Sequence, residues 1–587
     1  MINDLPNDIT ETETTLFADD SCLFKSGRNL DFILHKMQNS LNKLVEWCDL
    51  NGFKISKEKT VAVLFTHRRD HIDGILRING SPVKVERKAK FLGIVFDSRL
   101  TWNDHVNYVV EKCKKRLNLL RAISGNSWGA NKKTLLMIYR SLIRSVLDYG
   151  AIALDSMSKQ NKQKFDSIQA QALRIASGAV RGTSNAAMQV DMGEPPLQLR
   201  RLQQQLQYTV KVKSTEEHPA RKIFEPHWTT LCGKYTENSE PIYSKVRDFI
   251  REHQTIDWDS PRLPPSPPWR RKECSVDISV SKAGNKKHSP ETVNSMARER
   301  IDACKEDIHI YTDASKNLEG KTAAAFCIPE LEIEYSARLT DGITIFTAEL
   351  MAIKLSLLWI VENSNNIKSH KNISLFSDSL SALKAIKTGK TDCRPNMLNE
   401  IYELINIIDQ KVTLVWIPSH QGIKGNEKAD QGAQQATKKQ FVDLDVNLEL
   451  KEINHVIMQC ITEKWQNAWT SSIHGKFYRK IEPTVSSKIK YSHSSRAKEV
   501  TVSRLRFGKC RLNDYLCSIK AADSEKCSEC GVATETVEHF VLDCPNSELC
   551  KIIRATCKSL GIEPKIEITL SHERIVDTIH RSIKRKL

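Results

Sequence analysis

Between Ile308 and Lys438 the chain carries four acids, each at the end of a strand pattern or on a helical one. The run Ile308-His-Ile-Tyr-Thr-Asp313 ends in the first, and Ser374-Leu-Phe-Ser-Asp378 ends in another. Glu349 lies in Phe346-Thr-Ala-Glu-Leu-Met-Ala-Ile, where a helical pattern starts, and Asp430 in Gly425-Asn-Glu-Lys-Ala-Asp, after Trp416-Ile-Pro-Ser-His420-Gln-Gly. Acids at strand C-termini point into the crevice where α/β folds place their sites. Glu349 constrains the fold most. At helical spacing it shares a stripe with Ala352, Ile353, Leu357 and Ile360, which puts it on the apolar face of its helix. A lone carboxylate there costs several kcal/mol or takes up a proton, unless cations compensate it. Four clustered carboxylates balance two Mg²⁺, and hard paired ions with oxygen ligands suit phosphodiester hydrolysis. One Asp at a strand end is most often a solvated cap. Four acids together with the Trp-Ile-Pro-Ser-His and Gly-Asn-Glu-Lys-Ala-Asp runs are poorly explained that way.

The segment resembles a type 1 ribonuclease H domain. The resemblance implies that Asp313, Glu349, Asp378 and Asp430 are the metal-binding acids, holding two Mg²⁺, and that His420 is the mobile histidine that aids product release. It implies an Mg²⁺-dependent endonuclease that cuts the RNA strand of RNA–DNA hybrids, with the 2′-OH as the handle that tells RNA from DNA. Strands are expected at 307–312, 321–328, 332–339, 372–377 and 411–416. Helices are expected at 346–362, 379–387, 396–409 and 426–438. In the last, Ala429, Gly432, Ala433 and Ala436 allow close approach to the sheet. The short stretch from Asp378 to Trp416 lacks the extra basic helix with which some ribonucleases H grip their hybrid, so affinity is expected to come from flanking domains.

At 587 residues the chain should hold about three to five domains. A net charge of +17 favours a polyanionic partner, here RNA–DNA hybrid and other nucleic acid; no protein partner is evident. No signal peptide is visible at Met1-Ile-Asn-Asp-Leu-Pro, and no apolar run reaches the roughly 18 residues that cross a bilayer. The 16 cysteines are mostly scattered singly in apolar or helical contexts, as reduced thiols of an intracellular protein would be. Nucleus and cytoplasm are not distinguished.

Nearer the start, Phe17-Ala-Asp19-Asp20-Ser-Cys-Leu-Phe sets two adjacent acids between apolar runs, which suits a β-hairpin tip. By themselves such acids are a solvated turn. There follow a helical pattern (Leu41, Leu44, Val45, Cys48), a strand from Val61 to Phe65, a further hairpin, and Lys90-Phe-Leu-Gly93-Ile-Val-Phe-Asp97. That order resembles the later half of the palm of a non-LTR retrotransposon reverse transcriptase. The resemblance implies that Asp19 and Asp20 are a remnant polymerase metal site and that Phe91-Leu-Gly is the primer-gripping hairpin. The family's fingers and first catalytic aspartate would precede Met1, so the chain alone is not expected to polymerise. Residues 104–150 read as two helices, striped by Val106, Val109, Val110, Cys113, Leu117 and Leu120 and by Leu135, Tyr139, Leu142, Ile143 and Val146. The loop Ser124-Gly-Asn-Ser-Trp128-Gly separates them, and a third helix carries Phe165, Ile168, Ala172 and Ile175. Lys112, Lys114, Lys115, Arg116 and Arg121 make the first helix basic, which suits either a solvated face or backbone binding. By resemblance this is the thumb and a connection region. Beyond Leu197 the helical signal weakens, and the Pro-rich basic stretch between Thr255 and Arg298 reads as a linker.

After Asp443 a helix carries Leu448, Ile453, Val456, Ile457, Ile461 and Trp465. Basic, Ser-rich sequence follows from Lys488 to Arg506, with Tyr491 and Phe507, and suits either single-strand binding or a solvated loop. Cys527-Ser-Glu-Cys530 is followed after eight residues by His539 and after four more by Cys544. A Cys-x₂-Cys knuckle with a His and a Cys downstream completes a closed, structural N/S shell for Zn²⁺. So small a segment has little core of its own, so zinc removal is expected to unfold residues near 510–550. The pattern also resembles the zinc-binding end of many non-LTR reverse transcriptase polyproteins.

The expected architecture is multidomain: a truncated α+β palm (1–100), a helical thumb and connection (101–250), and a Pro-rich basic linker (251–300). An α/β ribonuclease H-like domain with a mixed five-stranded sheet (301–440) and a helical region with a zinc site at 527–544 (441–587) complete it. Two rival readings stand beside hybrid cleavage: a non-catalytic nucleic-acid-binding remnant, and a fragment of a full reverse transcriptase.

Overall fold

The computed structural model describes residues 2–68, 72, 75–215, 218–224, 249, 275–284, 289–364, 372–391 and 393–582. The chain divides into two compact units: Met1–Arg201 and Trp465–Leu587 make up most of one, Ile242–Lys464 most of the other.

The second unit is built on a six-stranded sheet. In chain order the strands are β1 (Ser275–Asp277), β2 (Ile308–Lys316), β3 (Thr322–Ile328), β4 (Ile333–Arg338), β5 (Ile373–Ser377) and β6 (Val412–Trp416). Their spatial order is β4-β3-β2-β5-β6-β1. The meander β2-β3-β4 is antiparallel, whereas β5, β6 and β1 join in parallel. The helices are α1 (Pro290–Asp302), α2 (Ile345–Glu362), α3 (Leu380–Thr388), α4 (Pro395–Ile407) and α5 (Lys424–Ala436). Helix α5 and α1 share a core with Tyr311, Cys327, Phe376 and Val415 on one sheet face. Because side chains alternate, Ile308, Ile310 and Thr312 turn to the other face, where α2 packs along β2 and β3. Both faces of β2 and β5 are thus covered: β5 is buried throughout, and β2 is buried from Ile308 to Asp313 except at half-buried His309.

The mixed sheet differs from the expected five strands by β1. Ser275–Asp277 and helix α1 lie in the stretch read from sequence as linker; the Pro-rich run itself, 261–268, falls outside the described residues. Three residues are too few to show a period, and β1 exists because the β6 edge offers backbone partners. Arg300 closes onto Asp277 at 2.6 Å and fixes α1 to this strand.

In the first unit Asp19 and Asp20 sit at the tip of a hairpin formed by Glu13–Phe17 and Asp20–Phe24, as the sequence suggests. The strand expected over Val61–Phe65 is only Val61–Ala62, and a hairpin pairs Lys88–Phe91 with Ile94–Asp97. The stripes of 104–150 are buried on the Asn103–Ala122 helix and on Lys132–Ile138, which runs on through a π-helical turn at Tyr139–Arg144. The third helix is Lys159–Ser177. Where the helical signal was weak, Leu197–Lys213, which belongs to the second unit from Leu202 onward, is nevertheless a regular helix, its polar residues Gln203, Gln205 and Thr209 buried alongside Leu206 and Val210. Hydrophobic periodicity misses a helix whose inner face is partly polar.

Helix α5 approaches the sheet through Gly425, where an added Cβ would stand 2.2 Å from the Tyr311 ring. Gly425→Ala gains about 1 kcal/mol of helix propensity but forces a core overlap of about 1–3 kcal/mol. The net expectation is a lower melting temperature, measured by thermal unfolding; an unchanged or raised value would show that α5 is free to shift.

Candidate functional site

Strand β2 runs through the centre of the sheet and delivers Asp313 beside the C-terminal end of β5, just past which lies Asp378. Thr344 caps α2 through its side chain, and the first turns of that helix bring Glu349 to the same point. Glu349 shares its buried stripe with Ala352, Ile353, Leu357 and Ile360. Carboxylate oxygens of Asp313, Glu349 and Asp378 lie within 4.8 Å of one another. Burial, and then the charge of Asp378, pushes the Asp313 carboxyl up to about 8. Burial, then Asp313 and Asp378, holds Glu349 well above the usual carboxylate range. Glu349 Oε2 is buried with no hydrogen-bond partner. An orphaned buried carboxylate oxygen facing two further carboxylates is a donor set that hard divalent cations fit.

Asp430 stands outside that triad. It comes from α5, accepts from Gln434 Nε2 at 2.8 Å, and still acts electrostatically on Asp313. His420 projects from the loop before α5, its side chain 74% exposed and its Nδ1 3.6 Å from Asp430 Oδ2. The loop is steadied by α1, whose Asn294 donates to Gln421 O at 3.0 Å.

Three further residues support the site without having been singled out individually in the sequence, although Trp416 and Asn426 lie within its quoted runs. Asn426 is buried and directs its Nδ2 at Asp378 Oδ2, 3.5 Å away. Trp416 Nε1 donates to Asp378 O at 3.0 Å, fixing the backbone behind that acid. Glu452, on the Leu450–Ser471 helix, is fully buried. It accepts from Thr347 Oγ1 at 2.7 Å and Thr344 N at 3.1 Å and pairs with Arg394, so it clamps the start of the helix that bears Glu349. One signal marked it: Glu452 precedes Val456 by one helical turn on an apolar stripe, the same anomaly that singles out Glu349.

In the first unit Cys527, Cys530, His539 and Cys544 also converge, their ligand atoms all within 4.8 Å. Cys527 Sγ is 3.7 Å from Cys544 Sγ, and Cys530 Sγ is 3.4 Å from His539 Nε2. Gly531 makes the knuckle turn at φ 70°, donating to Cys527 O. Backbone N–H groups of Ala533 and Val532 point at Cys530 and bring its thiol down to about 6, whereas burial pushes Cys527 up to about 11. Thiolate character at one sulfur, in a cluster of three thiols and an imidazole, fits zinc. The surrounding segment is better packed than the sequence suggested. Val537, Phe540, Val541 and Leu542 join a core with Leu505, Ile553, Leu570 and Ile575.

The remaining candidates are not brought into a cluster. Asp19 and Asp20 are exposed at their hairpin tip. The basic run from Lys488 to Arg506 is neither loop nor binding surface where it was most basic. Arg496, Lys498 and Arg506 are buried on the Arg496–Arg506 helix and are spent on internal partners, Arg506 on Glu482 and Arg496 on main-chain carbonyls. Tyr491 is half-buried and Phe507 lies in the core. Sequence charge alone cannot say which side of a helix faces inward.

Residues 305–438 match the RNase H family, so this fold and this acid cluster define an RNase H domain. Part of the chain is similar to RNA-directed DNA polymerases of non-LTR retrotransposons. It is 25% identical over 178 residues to the probable RNA-directed DNA polymerase from transposon BS of Drosophila melanogaster, covering 29% of this chain and 19% of that protein. It is 25% identical over 169 residues to the RNA-directed DNA polymerase from mobile element jockey of the same species, covering 28% and 18%. With the Pol polyprotein of the type-1 retrotransposable element R1 of Nasonia vitripennis it shares 25% identity over 198 residues, covering 31% of this chain and 56% of that one. The alignments therefore take in between about a fifth and just over half of these relatives. Among the described residues no helix is long and apolar enough to cross a membrane.

Without metal, Asp313 binds its proton more tightly folded, near 8, than at its ordinary 3.8. The stability this proton provides is complete below about pH 4 and is lost as pH rises to about 8. Asp313→Asn cannot lose it. In EDTA at pH 8 the variant should melt several degrees above the parent, and at pH 4 the two should coincide. Equal melting at pH 8 would mean that the carboxylates are not confined together.

Proposed function

We propose that the second unit hydrolyses the RNA strand of RNA–DNA hybrids, with Asp313, Glu349, Asp378 and Asp430 holding two Mg²⁺. The observation that carries this reading is the triad of buried Asp313 and Glu349 with half-buried Asp378 within 4.8 Å, in which one buried carboxylate oxygen of Glu349 lacks any partner. The ions, when bound, supply charge neutralisation, activation of the attacking water and stabilisation of the leaving 3′-oxygen. The side chains do the placing. The sheet fixes Asp313 and Asp378 relative to each other, and α2 adds Glu349 from an apolar face that excludes water. Asp430, at the triad's rim, completes the charge. His420, exposed and 3.6 Å from Asp430, is free to accompany the cut strand out of the site. Intact acids at all four positions favour this reading over a non-catalytic remnant. The relatives' names as RNA-directed DNA polymerases support RNA–DNA hybrid as the substrate class.

We further propose that Cys527, Cys530, His539 and Cys544 bind one structural Zn²⁺, which closes the knuckle and leaves no open position for chemistry.

Two tests follow from these assignments. Full-length protein with Mg²⁺ should cut the RNA of a labelled hybrid and leave the DNA strand whole. Asp378→Asn should lower that rate by orders of magnitude with its circular dichroism unchanged. His420→Ala should slow multiple turnover more than a single turnover. Parent-level cleavage by Asp378→Asn would refute the metal assignment. For zinc, metal analysis should find about one tightly bound ion per chain. Its removal should expose amides of 527–544 to hydrogen exchange while the Glu548–Ser559 helix stays protected by its own core. Hybrid cleavage should persist. A well-folded sample without zinc would leave the four residues as ordinary thiols and an imidazole.

A further inference from the structure

The first unit contains an open recess of about 230 Å³ between the C-terminal ends of the Asn103–Ala122 and Lys159–Ser177 helices. Arg121, Arg174 and Arg496 line it, and no carboxylate is among the lining residues. Arg504 stands beside it, donating Nε to Gly178 O and Nη2 to Asn126 Oδ1, both at 2.9 Å. Helix C-termini ordinarily attract cations through their unpaired carbonyls, and two of the four arginines, Arg496 and Arg504, answer to that. Arg496 donates to Ala176 O at 2.6 Å, Ile175 O at 2.8 Å and Gly125 O at 3.1 Å. Its guanidinium is thereby consumed. Arg121 and Arg174 exceed what the carbonyls need. Arg174 keeps a buried Nε with no partner, and its single side-chain bond, to Asn185 Oδ1, is long at 3.5 Å. Arg121 holds only the neutral amides of Asn118 and Gln171. Arg121 and Arg174, two guanidinium groups on one recess held only by neutral amides, call for an anion from outside.

A second feature adjoins it. The turn Gly125–Trp128 is closed by Gly125 N donating to Trp128 O at 2.9 Å, and the indole lies over Gly125, where any Cβ would meet it at 2.5 Å. Yet Trp128 is 60% exposed. Gly129, at φ 98°, lets the turn return so closely that a Cβ would meet Ile123 O at 2.4 Å. The loop thus builds a rigid aromatic plate at the lip of a cationic recess. A plate of this kind takes an unstacked base, which a duplex does not offer.

We propose that this recess binds an unpaired nucleotide of single-stranded nucleic acid, its backbone phosphate held by Arg121, Arg174 and Arg504 and its base stacked on Trp128. The site lies wholly in the first unit and does not depend on the nuclease reading. It takes only Arg496 and Arg504 from the basic run of Lys488–Arg506; its other cations come from the Asn103–Ala122 and Lys159–Ser177 helices.

The test measures binding of the full-length protein to labelled oligouridylate and oligothymidylate by fluorescence anisotropy, with a duplex of equal length as control. Trp128→Ala should weaken single-strand binding by about 5- to 100-fold, the loss of one stacked base, and leave duplex binding unchanged. Arg121→Ala, at an exposed position, should weaken it and flatten its salt dependence by about 0.7 in the log–log slope. A strand carrying 5-iodouridine should crosslink on irradiation to Trp128, located by peptide mass. Parent-level binding by both variants, or a crosslink elsewhere, would overturn the proposal. So would an equal loss on duplex, which would make the recess a duplex contact. Loss in Arg121→Ala alone, matched by competition from inorganic phosphate, would reduce the site to a lone phosphate and overturn its nucleotide assignment.

Discussion

Three carboxylates held where water cannot separate them set the terms for the second unit. Asp313, Glu349 and Asp378 repel one another at distances below 5 Å in a buried setting, and a pliant framework would let them move apart. The framework is therefore made stiff. Two of the acids sit at the centre of a six-stranded sheet with both faces covered, and the third rides a helix whose first turn is clamped by buried Glu452. Asn426 and Trp416 hold the side chain and main chain of Asp378. Every one of these supports is itself well buried or hydrogen-bonded, so the charge cluster is carried by the fold rather than merely tolerated by it.

The first unit rests on a comparable device with the charges paired. Lys132 and Asp191 are both fully buried and meet at 2.7 Å. Tyr478 donates to the other oxygen of Asp191, and Glu499 accepts from Lys132 N. Residues far apart in the chain thus complete a single polar network, and removing one member would strand a buried charge, a loss of about 3–5 kcal/mol. The C-terminal region is accordingly no loose appendage. Its helices share a core with the Asn103–Ala122 and Lys159–Ser177 helices through Trp465, Trp469, Tyr478 and Phe507.

This explains why net charge was a poor guide to location. The value of +17 correctly favours a polyanion, but Arg496, Lys498 and Arg506 are internal structural cations. The recess draws Arg121, Arg174 and Arg496 from three separate helices, and only the fold brings them together. Trp128, in a loop without periodicity, gave no signal at all.

What the sequence determined by itself was everything with a local or periodic cause. The strands and helices of 308–438 fall within a few residues of their expected bounds, because alternation and helical stripes are properties of consecutive residues. Glu349 was legible because an acid on an apolar stripe is an anomaly visible in one dimension, and the Cys-x₂-Cys pair because its spacing is short. Tertiary structure alone decided which acids meet. Asp313, Glu349 and Asp378 form the tight triad while Asp430 stands at its rim, a difference of side-chain reach across a sheet. Strand β1 and helix α1, the clamp of Glu452 and the arginine recess also depend on partners distant in sequence. Their energies come from pairing, burial and charge between elements, and no single window of the chain contains both sides of any of those contacts.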